Sequence, residues 1–259
     1  MYSAIILEPR PHPAFNLVLD NFLNRLDDRW NFIIFCGNFN YKFLITMINN
    51  NFSNHKNRIK LIKLNINNVH LMRKEYDDIF KSVKFYEYIP TEMFLVFQLD
   101  TLISDVYYNN IYDFMDYDYV GAPWLHNNDY NNINVGNGGL SLRRKSKMLE
   151  IIQNREYERD RNEDSWFVYY DNINKPHYEE AKKFSVETYF YDKSFGVHNP
   201  WHYITRENIA TIATHIPKLI DLYIMLFSHL RPEFPTFDNM DDKNDDVFNE
   251  EKIIIIDKY

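Results

Sequence analysis

Apolar positions recur along the first hundred residues in two alternating rhythms. Short continuous runs at Ala4–Leu7, Asn31–Cys36, Ile59–Leu64 and Phe94–Leu99 are β-branched or aromatic and read as buried strands. Between the first two, Phe15, Val18, Phe22 and Leu26 fall on one helical face behind Pro11 and Pro13. Tyr41 to Ile48 and Val69 to Phe80 carry weaker helical patterns. Strands joined through helices of this length predict βαβ units and a mostly parallel α/β sheet flanked by helices. Ligands of such sheets bind beyond the carboxyl ends of the strands, where Glu8, Arg10, Gly37 and Asp100 fall.

From Asp105 to Asn137 the pattern turns irregular, rich in Tyr, Asn and Asp, with a short strand expected at Tyr119 to Ala122. Gly138 to Leu142 reads as a strand and Arg144 to Gln153 as a helix. The clearest late helix is Ile216 to Leu230, with Ile216, Leu219, Tyr223, Phe227 and Leu230 on one side. An acidic linker, Asp238 to Glu251, then leads to an apolar tip, Ile253–Ile256, expected to dock on the body or on a second subunit as a homodimer contact.

At 259 residues, 45% apolar and 25% charged, the chain has an ordinary globular composition, which argues against global disorder. The excess of aromatics, 20 Phe and 20 Tyr, accompanies abundant Asn, Ile and Lys, all with AT-rich codons. Base composition therefore explains it more simply than a sugar-stacking surface. A net charge of -8 without a long basic tract argues against nucleic acid or an anionic membrane as principal partner. No run reaches membrane-spanning length and no secretory signal opens the chain, so a soluble, cytoplasmic protein is expected. The single cysteine, Cys36, closes an apolar run and reads as a buried strand residue.

With only 6 glycines, both G-x-x-x-x-G-K-[ST] and G-x-G-x-x-G loops are absent, and kinase, ATPase and Rossmann dehydrogenase readings lose their main support. Three of the 6 fall in Val135-Gly136-Asn137-Gly138-Gly139-Leu140-Ser141-Leu142-Arg143-Arg144, which suits a backbone approached by a flat ligand or a tight hairpin entry. Phe94 to Asp100 ends an apolar run in a carboxylate that can hold Mg²⁺ or Mn²⁺, although a turn aspartate is as common. Glu163-Asp164 opens an aromatic helix, as a cap or as a base that deprotonates an acceptor hydroxyl. His198, between Gly196 and Pro200-Trp201, is structural or a fixed imidazole completing a metal site.

In order, Phe-Gln-x-Asp, Asp-Tyr-x-Tyr-Val-Gly-Ala-Pro-Trp, Gly-Asn-Gly-Gly-Leu-Ser-Leu-Arg, Glu-Asp and Gly-Val-His, with Ile6–Arg10 ahead of them, resemble the DUF5672 family. The resemblance runs from about Ala4 to Trp201, with Gly136–Arg143 its most specific part. It implies a glycosyltransferase with a GT-A-like, Rossmann-related sheet and a helical C-terminal extension. Residues 1–101 would form the nucleotide-binding half and 102–232 the acceptor half of one domain, with 233–259 a linker and tail. The implied partners are a nucleotide-sugar donor, a glycan or glycoprotein acceptor, and a divalent cation, Mn²⁺ or Mg²⁺.

By position, Asp100 resembles the surviving acid of an Asp-x-Asp metal motif and His198 the late histidine ligand. Asp164 is similar to the base of inverting members, with Glu163 beside it. Trp124, Asn137, Gly138 and Gly139 would contact donor sugar and acceptor, and Glu8 and Arg10 the nucleotide. Gln98 stands where the first acid of the motif is expected, which makes a degenerate carbohydrate-binding or scaffold protein the alternative. Composition also resembles that of proteins of large DNA viruses of amoebae.

Overall fold

Strand β1, Tyr2–Leu7, is buried over its last five residues, and it pairs in parallel on one side with β2, Trp30–Cys36. On its other side it pairs in parallel with β4, Met93–Val96. The computed structural model describes residues 1–66, 73–124, 135–227 and 254–256. Strand β3, Ile59–Leu64, extends the sheet beyond β2 in parallel. Beyond β4 lie β7, Ser141–Arg144, and β6, Tyr119–Gly121, both antiparallel to their neighbours. Ile254–Ile256 forms β10 and pairs in parallel with β3, so the apolar tip docks on this chain's own sheet. The seven-stranded order is β10-β3-β2-β1-β4-β7-β6.

Alternation along the strands sends side chains to two cores. Ala4, Ile6, Phe32, Ile34 and Leu95 meet helix α1, Ala14–Arg25, and helix α2, Tyr41–Asn51, on one face. Ile5, Leu7, Ile33, Phe35 and Phe94 meet the opposite layer. That layer contains α3 (Arg73–Phe80), α4 (Val83–Glu87), α5 (Lys145–Asn154) and α6 (Glu163–Val168). The expected α1 stripe is buried through Phe15, Val18 and Phe22, and continues at Leu26 just past the helix. Residues 67–72 and the acidic segment 238–251 lie outside the described residues.

Three expected boundaries move for local reasons. The β4 strand stops at Val96 rather than Leu99, because the Gln98 carbonyl accepts from both the backbone N–H and the hydroxyl of Thr101 and turns the chain. The stretch from Gly138 is no strand: Gly139 N–H donates to the Asn137 side chain and Ser141 Oγ to the Gly138 carbonyl, so β7 begins at Ser141. The late helix, α9, Leu219–Phe227, starts after Pro217, and residues 228–230 of the expected helix lie outside the described residues. It follows α8, Arg206–Ala213, which Thr205 caps through its side chain.

A second, three-stranded sheet sits beside the first. Strand β5, Thr101–Ile103, is its edge, β9, Gly196–His198, its centre, and β8, Ser185–Val186, its other edge. The short helix α7, Tyr178–Phe184, leads into β8. No helix among the described residues is long and apolar enough to cross a membrane.

Candidate functional site

The chain leaves β1 toward β2 on one side, and β4 lies on the other. The carboxyl ends of β1 and β4 therefore flank a topological switch point, where open α/β sheets leave a crevice. A cavity of about 720 Å³ opens there, within the usual size range of small-molecule sites. Glu8 and Arg10 follow β1 and line it. Glu8 holds Arg10 through a bidentate pair at 2.8 and 2.6 Å and accepts the Arg10 backbone N–H at 2.9 Å. The buried Asn40 amide donates to the carbonyls of Glu8 and Arg10 while its Oδ1 accepts from Gly37 N–H, tying the ends of β1 and β2 together.

Asp100 and His198 meet because Thr101 pairs with His198 in the β5–β9 register. The Asn199 N–H donates to the Asp100 carbonyl at 3.0 Å, and the His198 Nε2 lies 3.5 Å from Asp100 Oδ2. Glu187 flanks the opposite ring edge, its Oε1 3.5 Å from His198 Nδ1. Burial by itself would lower the His198 pKa, but Asp100 and then Glu187 push it up to about 10. Burial would likewise raise the Asp100 carboxyl, yet His198 holds it below the usual range.

Among the described residues no cluster of three or more His, Cys, Asp or Glu could hold a metal. Asp100 nevertheless offers an oxygen donor, and His198 would offer a nitrogen donor once a cation displaced the proton that Asp100 and Glu187 hold on its ring. A carboxylate behind the ring, as Glu187 is, commonly orients a metal-binding imidazole. A Cβ at Gly139 would fall well inside van der Waals contact of His198 Nε2, so the glycine keeps that nitrogen's approach clear. Two donors would leave most of a hard cation's coordination positions to other ligands.

Across the cavity, the Asn137–Gly139 turn is clamped from behind. Fully buried Arg143 reaches back from β7, and its guanidinium forms a bidentate pair with Glu163 at 2.6 and 2.8 Å and donates to the Gly138 carbonyl. Tyr119 and Phe80 rings lie against the guanidinium, at 4.7 and 5.1 Å. A Cβ on Gly138 would lie 2.5 Å from Glu163 Oε1, so only glycine passes between this pair and Asp164. Asp164 Oδ2 accepts from Gly138 N–H at 3.2 Å, and Oδ1 accepts from Ser165 N–H at 2.6 Å. Burial first, and the Glu163 charge second, raise the Asp164 carboxyl to about 6. That places it in the range of a general base at neutral pH.

Of the residues singled out in the sequence, Glu8, Arg10, Gln98 and Asp100 line this one cavity, together with Asn137, Gly138, Gly139, Glu163, Asp164 and His198. Two depart from expectation. Trp124 stacks on Tyr169 with centroids 6.5 Å apart, against the core opposite α1, and does not line the cavity. Both Glu163 oxygens are engaged by Arg143, so this acid is committed to a buried ion pair. Gln98, in the place of an acid, donates its amide to the Tyr76 hydroxyl at 3.0 Å.

Sequence reasoning missed Tyr76, Asp77 and Glu187. Asp77 Oδ1 accepts the Glu163 N–H at 3.0 Å and so caps α6, the role left open for Glu163 and Asp164 themselves. Tyr76 and Asp77 lie in a weakly patterned helix and Glu187 in no motif, so only the fold could bring them to the site.

The family described as "Protein of unknown function (DUF5672)" matches residues 58–198, more than half of the 259 residues. No curated protein matches the sequence. Among solved structures, an active-site mutant of LgtC is 13% identical, covering 85% of this chain and 95% of that chain with a TM-score of 0.53. Galactosyltransferase LgtC with donor and acceptor sugar analogs is 11% identical, covering 82% and 96%, with a TM-score of 0.49. Mannosyltransferase PcManGT from Pyrobaculum calidifontis, with GDP-Man and Mn²⁺, is 11% identical, covering 68% and 54%, with a TM-score of 0.49. The chain shares the GT-A-like α/β fold of the first of these.

Proposed function

This chain belongs to the DUF5672 family, and from that premise we propose that it is a nucleotide-sugar-dependent glycosyltransferase. The carrying observation is that one cavity at the sheet's switch point holds the Asp100–His198 pair together with Asp164. The donor's nucleotide lies toward Glu8 and Arg10, at the ends of β1 and β2. Asp100 and His198 would hold a divalent cation, Mn²⁺ or Mg²⁺. When bound, such an ion neutralises the charge that builds on the departing diphosphate.

Asp164 takes the proton of an acceptor hydroxyl as that oxygen attacks the anomeric carbon and the bond to the diphosphate breaks. Attack opposite the leaving group inverts the anomeric centre. Arg143 and Glu163 act behind it: they fix the Gly138 N–H and the carboxyl that N–H orients, while burial, and then Glu163, keeps the base's pKa high enough to hold the proton it takes. The acceptor is a glycan or a glycoprotein.

Thermal shift with UDP, GDP, CDP and dTDP, each with and without Mn²⁺, tests the donor half. At a hundredfold excess over Kd, a bound nucleotide adds about 2.7 kcal/mol of stability. Stabilisation by one base and its enhancement by Mn²⁺ are expected, followed by turnover of the corresponding nucleotide sugars. Saccharide binding without any nucleoside diphosphate binding would instead favour a degenerate carbohydrate-binding protein, for which Gln98 speaks.

A further inference from the structure

Helix α9 buries Leu219 and Leu222 and turns the other side outward. Ile220, Tyr223, Ile224 and Phe227 are 46%, 45%, 52% and 43% exposed, a stripe at helical spacing. Contiguous apolar surface of this kind marks an interaction site more often than chance. The aromatic half of the stripe is organised and the aliphatic half is not. Trp201 packs edge-on to Tyr223 and to Phe227, with centroids at 5.5 and 5.7 Å, and His202 packs edge-on to Phe227 at 6.0 Å. An edge-to-face contact steadies both rings and occupies only one face of one of them.

This aromatic shelf is continuous with the cavity, because Phe227 and His202 line both. The chain reaches it directly from His198: Asn199 adopts a left-handed conformation, φ 44°, and starts the turn Pro200–His202. Asparagine tolerates that conformation better than most non-glycine residues, so the turn is set locally. Within the same segment, Trp201 Nε1 and Asn199 Oδ1 are buried without a hydrogen-bond partner among the described residues.

We propose that the shelf of Trp201, His202, Tyr223 and Phe227 is the acceptor subsite and that it takes the apolar face of a hexopyranose. The inference rests on reading the adjoining cavity as the donor site. Rings beside a few polar groups suit a saccharide, which presents C–H faces and hydroxyls together. An anionic lipid surface is disfavoured: the chain carries a net charge of -8, and Lys218, just ahead of α9, is paired with Asp221 at 3.2 Å.

Saturation-transfer NMR on the full chain, with lactose, maltose, mannobiose and chitobiose as probes, tests the shelf. At least one disaccharide should receive saturation through its ring C–H protons. Tyr223→Leu and Phe227→Leu keep apolar area but remove the ring, and each should weaken that binding by about fivefold or more. Ile220→Ser and Ile224→Ser, on the same exposed stripe, should leave it within twofold. All four positions are exposed, and unchanged unfolding midpoints will verify that the variants fold.

The inference is overturned if no probe binds, if the leucine variants bind as the parent does, or if the serine variants lose as much. It is equally overturned if the chain floats with phosphatidylcholine–phosphatidylglycerol vesicles, or dimerises, and loses that behaviour with Tyr223→Leu. Nucleoside diphosphate stabilisation measured in parallel separates the two readings. A nucleotide shift without saccharide contact removes the shelf and keeps the donor site; saccharide contact without a nucleotide shift keeps the shelf and removes the transferase.

Discussion

Replacing Asp164 by Asn should make the protein more stable at neutral pH while removing its activity. In the folded chain burial, and then Glu163, raise this carboxyl from an ordinary 3.8 to about 6. A pKa raised on folding means that the protonated form is favoured by the fold. The associated stability is fully present below about pH 4 and is lost as pH rises through about 6. About two pH units correspond to about 3 kcal/mol of strain on the ionised acid at pH 7.5. Asparagine carries no charge, so it escapes that penalty. Its single carbonyl oxygen, however, cannot accept both the Gly138 and the Ser165 N–H, and losing one bond costs about 1–2 kcal/mol.

The net expectation is a gain of about 1–2 kcal/mol at pH 7.5, or roughly 2–8 °C in Tm for a domain of this size. Urea unfolding of both proteins between pH 4 and 8 measures it. The advantage should grow with pH across the window from about 4 to 6 and vanish or reverse at its acid end. Sugar transfer by the variant should fall by about 10²-fold or more. A variant less stable than the parent at pH 7.5, or a difference that does not change with pH, would refute the account of Asp164 as a strained, buried acid.

Three further outcomes test the rest of the site. Arg143→Met strands the buried Glu163 carboxylate and should cost about 3–5 kcal/mol in urea unfolding, much of it recovered by adding Glu163→Gln; equal losses in the single and double variants would argue against the pair as the clamp. Gly139→Ala places a methyl against His198 Nε2 and should abolish the Mn²⁺-dependent part of nucleoside diphosphate stabilisation, so a retained Mn²⁺ effect in thermal shift would remove His198 from the cation site. Cys36 is pushed up to about 12 by burial and should react with iodoacetamide at pH 8 only as fast as the protein unfolds; prompt labelling in the native state would contradict its place in β2.

Much of the fold was written in local pattern. Continuous apolar runs specified β1, β2 and β3 nearly to the residue, and the stripe from Phe15 to Leu26 specified α1, because a strand or helix buried on this scale leaves a period that single positions reveal. The glycine-rich segment announced the site since Gly138 and Gly139 stand where no Cβ fits. What escaped were the boundaries at Gln98 and Gly138, where side-chain and carbonyl hydrogen bonds turn the chain without any change in apolar period.

The chemistry depended on partners far away in the chain. Asp100 and His198 come together through the β5–β9 register, and Glu187 reaches the ring because β8 pairs with β9. Glu163 and Asp164 are neighbours in sequence with identical local signals, yet one is ion-paired with Arg143 and the other is left without a cation partner and raised to about 6. The rings of α9, read from composition as unremarkable, acquire meaning only from lying beside the cavity. By itself the sequence determined the layered α/β scaffold and the residues available for chemistry, because periodicity and steric demand are local. Only the tertiary structure decided which acid is paired with Arg143 and which is left buried with a raised pKa, because that depends on burial and on charges contributed by other elements.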